Sequence, residues 1–118
     1  MNIIANIAVA LVALLHLYFL ILEMFLWDKP LGLRTFNMTP QVAKASKVLA
    51  ANQGLYNGFL AAGLFWGLLS PEGFAFKIFF LDCVIIAGLY GGITVGKKII
   101  LVQALPAMIA VTLVLFAG

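Results

Sequence analysis

Three ionisable side chains lie inside long apolar stretches of the chain: His16, Glu23 and Asp82. Imidazole and carboxyl groups can bind protons or cations, and they are common general acids and bases. His16 and Glu23 are seven residues apart, so on a helix they share one face and are separated by about 10 Å along its axis. They therefore cannot touch each other, and water, a ligand or another helix must lie between them.

The same apolar stretches also carry uncharged polar side chains, which are Asn52, Gln53, Asn57, Tyr90 and Gln103. Polar groups inside a membrane usually face the interior of a helical bundle. We therefore expect all of them to converge on a polar cavity in the cytosolic half of the membrane, with Asp82 and His16 at its deep end. The predicted ligand-binding set comprises these residues together with Glu23.

Each of these polar groups also has a purely structural interpretation. The amides can hydrogen-bond between helices, and His16 can be a neutral core histidine. Glu23 can pair with Lys44, Lys47 or Arg34 near the membrane surface. Asp82 is the hardest to explain in this way, because a carboxylate at the bilayer centre costs roughly 2.5–3.5 kcal/mol. The sequence leaves both interpretations open.

The spacing of His, Cys, Asp and Glu predicts neither a metal site nor a nucleophilic triad. Cys83 is the single cysteine of the chain, so an intrachain disulfide is excluded, and we expect a packed thiol. No cofactor-binding motif is present. We therefore expect neither a metal nor a cofactor.

The composition indicates that lipid is part of the solvent. Hydrophobic residues make up 65% of the 118 residues and charged residues 9%, whereas soluble chains contain roughly 45–50% and 25%. The net charge of +3 does not indicate nucleic-acid binding, because the basic residues lie in the connections beside the apolar stretches. The sequence therefore predicts a protein of the cell membrane with lipid as its immediate partner.

Four stretches approach the roughly 20 mostly apolar residues that a spanning helix needs. They cover residues 3–27, 48–69, 74–95 and 99–117. The first is not expected to be a cleaved signal, because no Lys or Arg precedes it. The sequence thus predicts an all-α polytopic membrane protein, with residues 1–118 forming a single domain that is a bundle of four transmembrane helices.

Local signals refine the helix boundaries. Thr39-Pro40 predicts the start of the second long helix, and Ser70-Pro71 repeats this signal before the third. Pro106 predicts a kink in the last helix. The glycines of the third helix, Gly88, Gly92 and Gly96, recur at four-residue spacing, which allows close packing of helices.

The distribution of Lys and Arg predicts the orientation. Six of the seven basic residues flank the first connection or form the third, and they are Lys29, Arg34, Lys44, Lys47, Lys97 and Lys98. The opposite side has only Lys77. Because positive residues are retained in the cytosol, both termini should lie outside it.

Two segments are distinctive as strings: residues 16–27, HLYFLILEMFLW, and residues 49–60, LAANQGLYNGFL. They resemble the small four-helix membrane proteins grouped as the DUF1304 family, and the resemblance extends over the whole chain. It implies a polytopic membrane protein and no established activity. An epimerase label attached to some relatives is not supported by any cofactor motif in this sequence.

Three functions remain open. We favour a small transporter, channel-like or ligand-binding protein for a proton, an ion or a small polar metabolite, because titratable groups inside a membrane suit proton coupling. A homodimer is then expected, since one four-helix protomer is small for alternating access. The alternatives are a structural or accessory subunit, and a membrane-embedded acid–base enzyme. The separation of His16 and Glu23 disfavours the enzyme.

Overall fold

The computed structural model describes residues 3–117, and the regular secondary structure within that range is helical throughout. The elements in chain order are α1 (Ile3–Met24), α2 (Pro30–Thr35), α3 (Pro40–Leu69), α4 (Phe74–Thr94), a π-helical segment (Ile100–Ala104) and α5 (Leu105–Ala117). The predicted all-α fold is therefore confirmed.

Among residues 3–117, three helical stretches are long and apolar enough to cross a membrane: α1, α4 and the continuous helix Ile100–Ala117. They correspond to the first, third and fourth predicted spans. The remaining long helix, α3, has 30 residues and is therefore about 45 Å long. Its amides Asn52, Gln53 and Asn57 make it less apolar than the others, so a fourth span stays a prediction.

α3 begins at Pro40, as the Thr39-Pro40 signal predicts. The Val42 N–H donates to the Thr39 hydroxyl at 3.2 Å, which satisfies one of the free donors at the start of a helix. Proline at the first helical position loses nothing, because its missing N–H would have no partner within the helix there.

Two connections differ from expectation. The connection between the first two predicted spans, residues 28–38, contains the short helix α2. This helix begins at Pro30, where the fixed φ of proline favours the first helical position. The start of α4 lies at Phe74, after the predicted Ser-Pro signal. The Gly73 N–H donates to the Ser70 carbonyl at 3.2 Å, so these residues form a turn before the helix.

The chain divides into two compact units. The central unit comprises residues 15–59 and includes α2, the end of α1 and most of α3. The terminal unit comprises, in its described part, residues 3–14 and 60–117.

The terminal unit is built around small and branched apolar side chains. Its buried cluster comprises Ala5, Val9, Val12, Ala13, Leu64, Leu81, Val84, Ala107, Ala110 and Val114. A Cβ atom at Gly88 would lie 2.7 Å from the Ala104 backbone nitrogen, and one at Gly92 would overlap the Ile100 side chain. The predicted close packing therefore occurs within one chain at two of the three glycines, whereas Gly96 has no such neighbour within 4 Å.

The irregularity expected near Pro106 takes the form of the π-helical segment that precedes it. The Leu105 N–H donates to the Ile100 carbonyl, five residues earlier in the chain. Proline has no N–H with which to continue an α-helical ladder, and its ring crowds the preceding turn. A wider turn before the proline relieves this crowding.

Candidate functional site

α1 and α3 approach each other closely within the central unit, and two glycines of α3 make this approach possible. A Cβ atom at Gly54 would lie 2.6 Å from Met24 Cγ and 3.1 Å from Glu23 Cβ, and one at Gly58 would lie 2.7 Å from Leu20 Cδ1. Ordinary carbon contacts are about 3.5–4.0 Å. A larger residue at either position would therefore displace its neighbours.

A polar pair crosses this contact next to the glycines. Asn57 Nδ2 donates to Glu23 Oε1 at 2.5 Å. The Asn57 side chain is buried, with 4% of its surface exposed, and Glu23 is half-buried. The pair therefore joins the two helices at one defined register.

His16 lies on α1 two turns before Glu23 and is completely buried. Its ring meets that of Phe19 edge-on, with centroids 5.3 Å apart and planes at 72°. The inward orientation expected for His16 is therefore confirmed, and this imidazole has an aromatic neighbour.

The expected inward orientation is wrong for Asn52 and Gln53, whose side chains are exposed. The buried face of α3 contains Gly54, Asn57 and Ala61. At about 100° per residue, Asn52 lies roughly 140° around the helix from Asn57. The small residues, rather than the longest run of amides, determine which side of α3 packs.

The same expectation is wrong for Asp82 and Tyr90 on α4, which are also exposed. The buried side of α4 carries Leu81, Val84, Gly88 and Gly92, and Asp82 lies roughly 160° around the helix from Val84. Asp82 is therefore not at the deep end of an internal cavity.

Gln103 is partly buried and lies in the π-helical segment. Its amide therefore belongs to the terminal unit, as do Asp82 and Tyr90. Two of the eight predicted residues, Glu23 and Asn57, are joined directly by a hydrogen bond.

A second group of contacts fixes the end of α1 to the start of α3. Trp27 Nε1 donates to Ser46 Oγ at 3.0 Å, and the Trp27 ring packs on Phe36 with centroids 4.8 Å apart. Lys47 Nζ forms an ion pair with Asp28 Oδ2 at 2.9 Å, and this hydrogen bond lowers the pKa of Asp28. Of the three cations considered as partners of Glu23, Lys47 is therefore paired with Asp28 instead.

The sequence did not predict a cavity of about 350 Å³ in the terminal unit. Asn6, Ser70, Gly73 and Lys77 are among the residues that line it, and none of the predicted site residues does. Lys77 Nζ donates to Asn6 Oδ1 at 3.2 Å. The available signal was that Lys77 is the single basic residue outside the two basic connections.

Among residues 3–117, no cluster of three or more His, Cys, Asp or Glu side chains could hold an ion. The chemistry available at the α1–α3 contact is therefore that of one carboxyl group, one amide and the backbone around them.

The chain is similar to known proteins of one family. The model of a protein family of unknown function, DUF1304, matches residues 10–115. The chain belongs to the DUF1304 family. The uncharacterized protein YpaA of Lactococcus lactis subsp. lactis (strain IL1403) is 36% identical over 113 residues, covering 93% of this chain and 95% of the relative. No solved structure matches the chain.

Membership of DUF1304 confirms the resemblance carried by the two distinctive strings. Residues 16–27 form the last part of α1 and the residues after it, and residues 49–60 lie within α3. Glu23 belongs to the first string and Asn57 to the second, so the hydrogen bond between them joins the two segments. In this DUF1304 protein the distinctive strings therefore coincide with the candidate site.

Proposed function

We propose that this DUF1304 protein is a small transporter-like membrane protein that binds a proton, a small cation or a small polar ligand at Glu23 and Asn57. The supporting observation is the carboxylate–amide hydrogen bond at the glycine-lined contact of α1 and α3. A titratable group within an apolar helix is a typical element of ion and proton pathways.

The chemistry of the pair suits reversible binding of positive charge. An ionised carboxylate only accepts hydrogen bonds, and the Asn57 N–H donates to one oxygen of Glu23. The Asn57 side-chain oxygen adds an acceptor beside it. A proton or cation that binds the carboxylate competes with the amide donor, so binding at Glu23 is coupled to the contact between the two helices.

The proposal includes a four-span topology in which α3 is the remaining span. Its first residues lie outside the hydrocarbon, because about 45 Å of helix exceeds the roughly 30 Å of the bilayer core. The basic connections then face the cytosol and both termini lie outside. Glu23 is one turn before Trp27, near the basic side, so its ligand enters from the cytosol.

A cysteine placed after Gly118 in a Cys83→Ser background tests this topology; Gly118 lies outside the described residues. We expect an impermeant maleimide to label it on intact cells. Labelling only after permeabilisation would contradict the proposed orientation without bearing on the Glu23–Asn57 site.

An accessory-subunit role is the second candidate, and the exposure of Asn52 and Gln53 on α3 favours it. Amides on the outer face of a helix in a membrane can hydrogen-bond to helices of another protein. In that case Glu23 and Asn57 serve only to hold α1 against α3.

Reconstituted protein with an internal pH-sensitive dye discriminates between the two roles. We expect wild-type vesicles to move protons when a proton, Na⁺ or K⁺ gradient is imposed, and Glu23→Gln vesicles to lose this flux. Glu72→Gln is the matched control, because Glu72 is an exposed acid outside the helices. No flux in wild-type vesicles, together with an effect of Glu23→Gln on stability alone, would support the accessory role.

A further inference from the structure

One side of α4 presents a carboxyl group in an otherwise apolar surface. Asp82 is exposed near the middle of the helix. Its neighbours along the same side are also exposed: Phe79 by 62%, Ile86 by 67% and Ile93 by 83%. α4 is long and apolar enough to cross a membrane. In a bilayer, this carboxyl group would therefore face lipid.

The exposed residues of this side follow the spacing of a helix–helix seam. We define the Asp82 face as Phe79, Asp82, Ile86, Leu89 and Ile93, all of which are exposed. Their separations alternate between three and four residues, which is the repeat of positions that meet in left-handed helix pairs. The opposite side of α4 is already occupied by the core of the terminal unit.

Lipid chains offer neither a donor nor an acceptor to a carboxyl group, so a polar group of a protein must meet it. A neutral carboxyl group is both a donor and an acceptor, so two such groups satisfy each other, and a carboxyl–carboxylate pair can share one proton. A twofold interface places the same residues of each subunit opposite one another. The Asp82 face is thus complementary to itself.

We propose that a second copy of this chain covers the Asp82 face, with the two Asp82 carboxyl groups in contact across a twofold axis. The apolar residues on either side of Asp82 pack against their counterparts, and the central acid pair fixes their register. The inference rests on α4 spanning the membrane, as proposed above, and it is independent of ligand binding at Glu23.

Cysteine cross-linking in native membranes tests the interface. In a Cys83→Ser background, Ile86→Cys should form an oxidant-induced product of twice the 12.7 kDa chain mass. Ile109→Cys is the matched control, because Ile109 is similarly exposed but lies on α5. Absence of cross-linking at position 86, or equal cross-linking at both positions, would overturn the proposal.

Substitution of the acid itself provides the second test, with subunit mass measured by native mass spectrometry of the full chain. Asp82→Asn should preserve the dimer, since an amide also donates and accepts. Asp82→Leu should weaken association by about tenfold while the monomer remains folded by circular dichroism. A wild-type monomer, or an Asp82→Leu variant as dimeric as wild type, would overturn the proposal.

These results separate the dimer from the ligand site. Loss of proton flux in Glu23→Gln vesicles with an intact Ile86→Cys cross-link would support the ligand site and the dimer separately. An intact cross-link in a protein without flux would leave the dimer supported and contradict the transporter-like role.

Discussion

Asn57 in α3 donates a hydrogen bond to the carboxylate of Glu23 in α1, and the glycines beside Asn57 bring the two helices close enough for this contact. This hydrogen bond needs a donor opposite an acceptor, and it needs the two helices in one relative position. A shift of one residue along α3 would turn the amide by about 100° away from the acid.

Replacing Asn57 with leucine removes the donor and leaves a half-buried carboxylate without it. We expect the free energy of unfolding to fall by about 1–3 kcal/mol, because an unsatisfied polar group is costly. Adding Glu23→Met should recover most of this loss, since both polar partners are then gone. Denaturation of both single variants and the double variant in mild detergent measures this coupling. Losses of unfolding free energy that simply add would show that the two side chains are not coupled.

Gly88 and Gly96 provide a matched pair for the packing of α4. A Cβ atom at Gly88 would lie 2.7 Å from the Ala104 backbone nitrogen, whereas one at Gly96 would meet nothing within 4 Å. We expect Gly88→Ala to destabilise the fold by about 1–3 kcal/mol through overpacking. Gly96→Ala should stay within about 0.5 kcal/mol of wild type. Thermal unfolding of both variants tests this difference, and equal melting temperatures would contradict the described packing.

The indole of Trp27 and the hydroxyl of Ser46 should act as one unit. Trp27→Phe and Ser46→Ala both remove the 3.0 Å hydrogen bond, and its loss should contribute about 0.5–1.5 kcal/mol to each change. The double variant should therefore lose less than the sum of the single variants. A strictly additive double variant would argue against this bond in solution.

The Asp28–Lys47 pair predicts a specific pH dependence. The pKa of Asp28 is lowered from its ordinary value of 3.8, chiefly by the hydrogen bond from Lys47. The pair therefore stabilises the fold above pH 3.8, and this stabilisation is lost as the pH falls through the lowered pKa. Melting temperatures measured from about pH 6 to about pH 2 bracket this titration. They should fall less on acidification for Asp28→Asn than for the wild-type protein. Because the pair is exposed, the difference between the two proteins should be small. Identical dependence of the melting temperature on pH would contradict the pairing.

Local chemistry allowed several features to be predicted from the sequence. Thr39-Pro40 marks the start of α3 because a hydroxyl cap and a proline each suit one defined position of a helix. Glu23 and Asn57 were both identified as site residues, since polar groups in apolar stretches are few enough to stand out. Their pairing was not predicted, because periodicity places residues on a face without specifying which residue of another helix meets that face.

The orientation of Asp82 shows where sequence reasoning failed. Polarity alone suggested that Asp82 faces inward. The inward side of α4 is instead the side with the glycines, because the neighbouring helix can approach most closely there. Gly88 lies against Ala104 and Gly92 against Ile100, and this packing turns Asp82 outward. Helix α2 was missed for a related reason: its Gly32 is packed against the carbonyl oxygens of Leu26 and Trp27, a tertiary contact that has no periodic signal.

Because of the π-helical segment, a change of a single residue in the length of the last helix would disturb its packing. A π turn uses more residues than an α turn, and in this segment Ile100 lies against Gly92 while Ala104 lies against Gly88. Removing one residue between them would restore an ordinary helical ladder but rotate Ile100 away from its glycine. Natural variation in chain length should therefore be absent from this segment and confined to the connections, where one residue more or less leaves the facing of the helices unchanged.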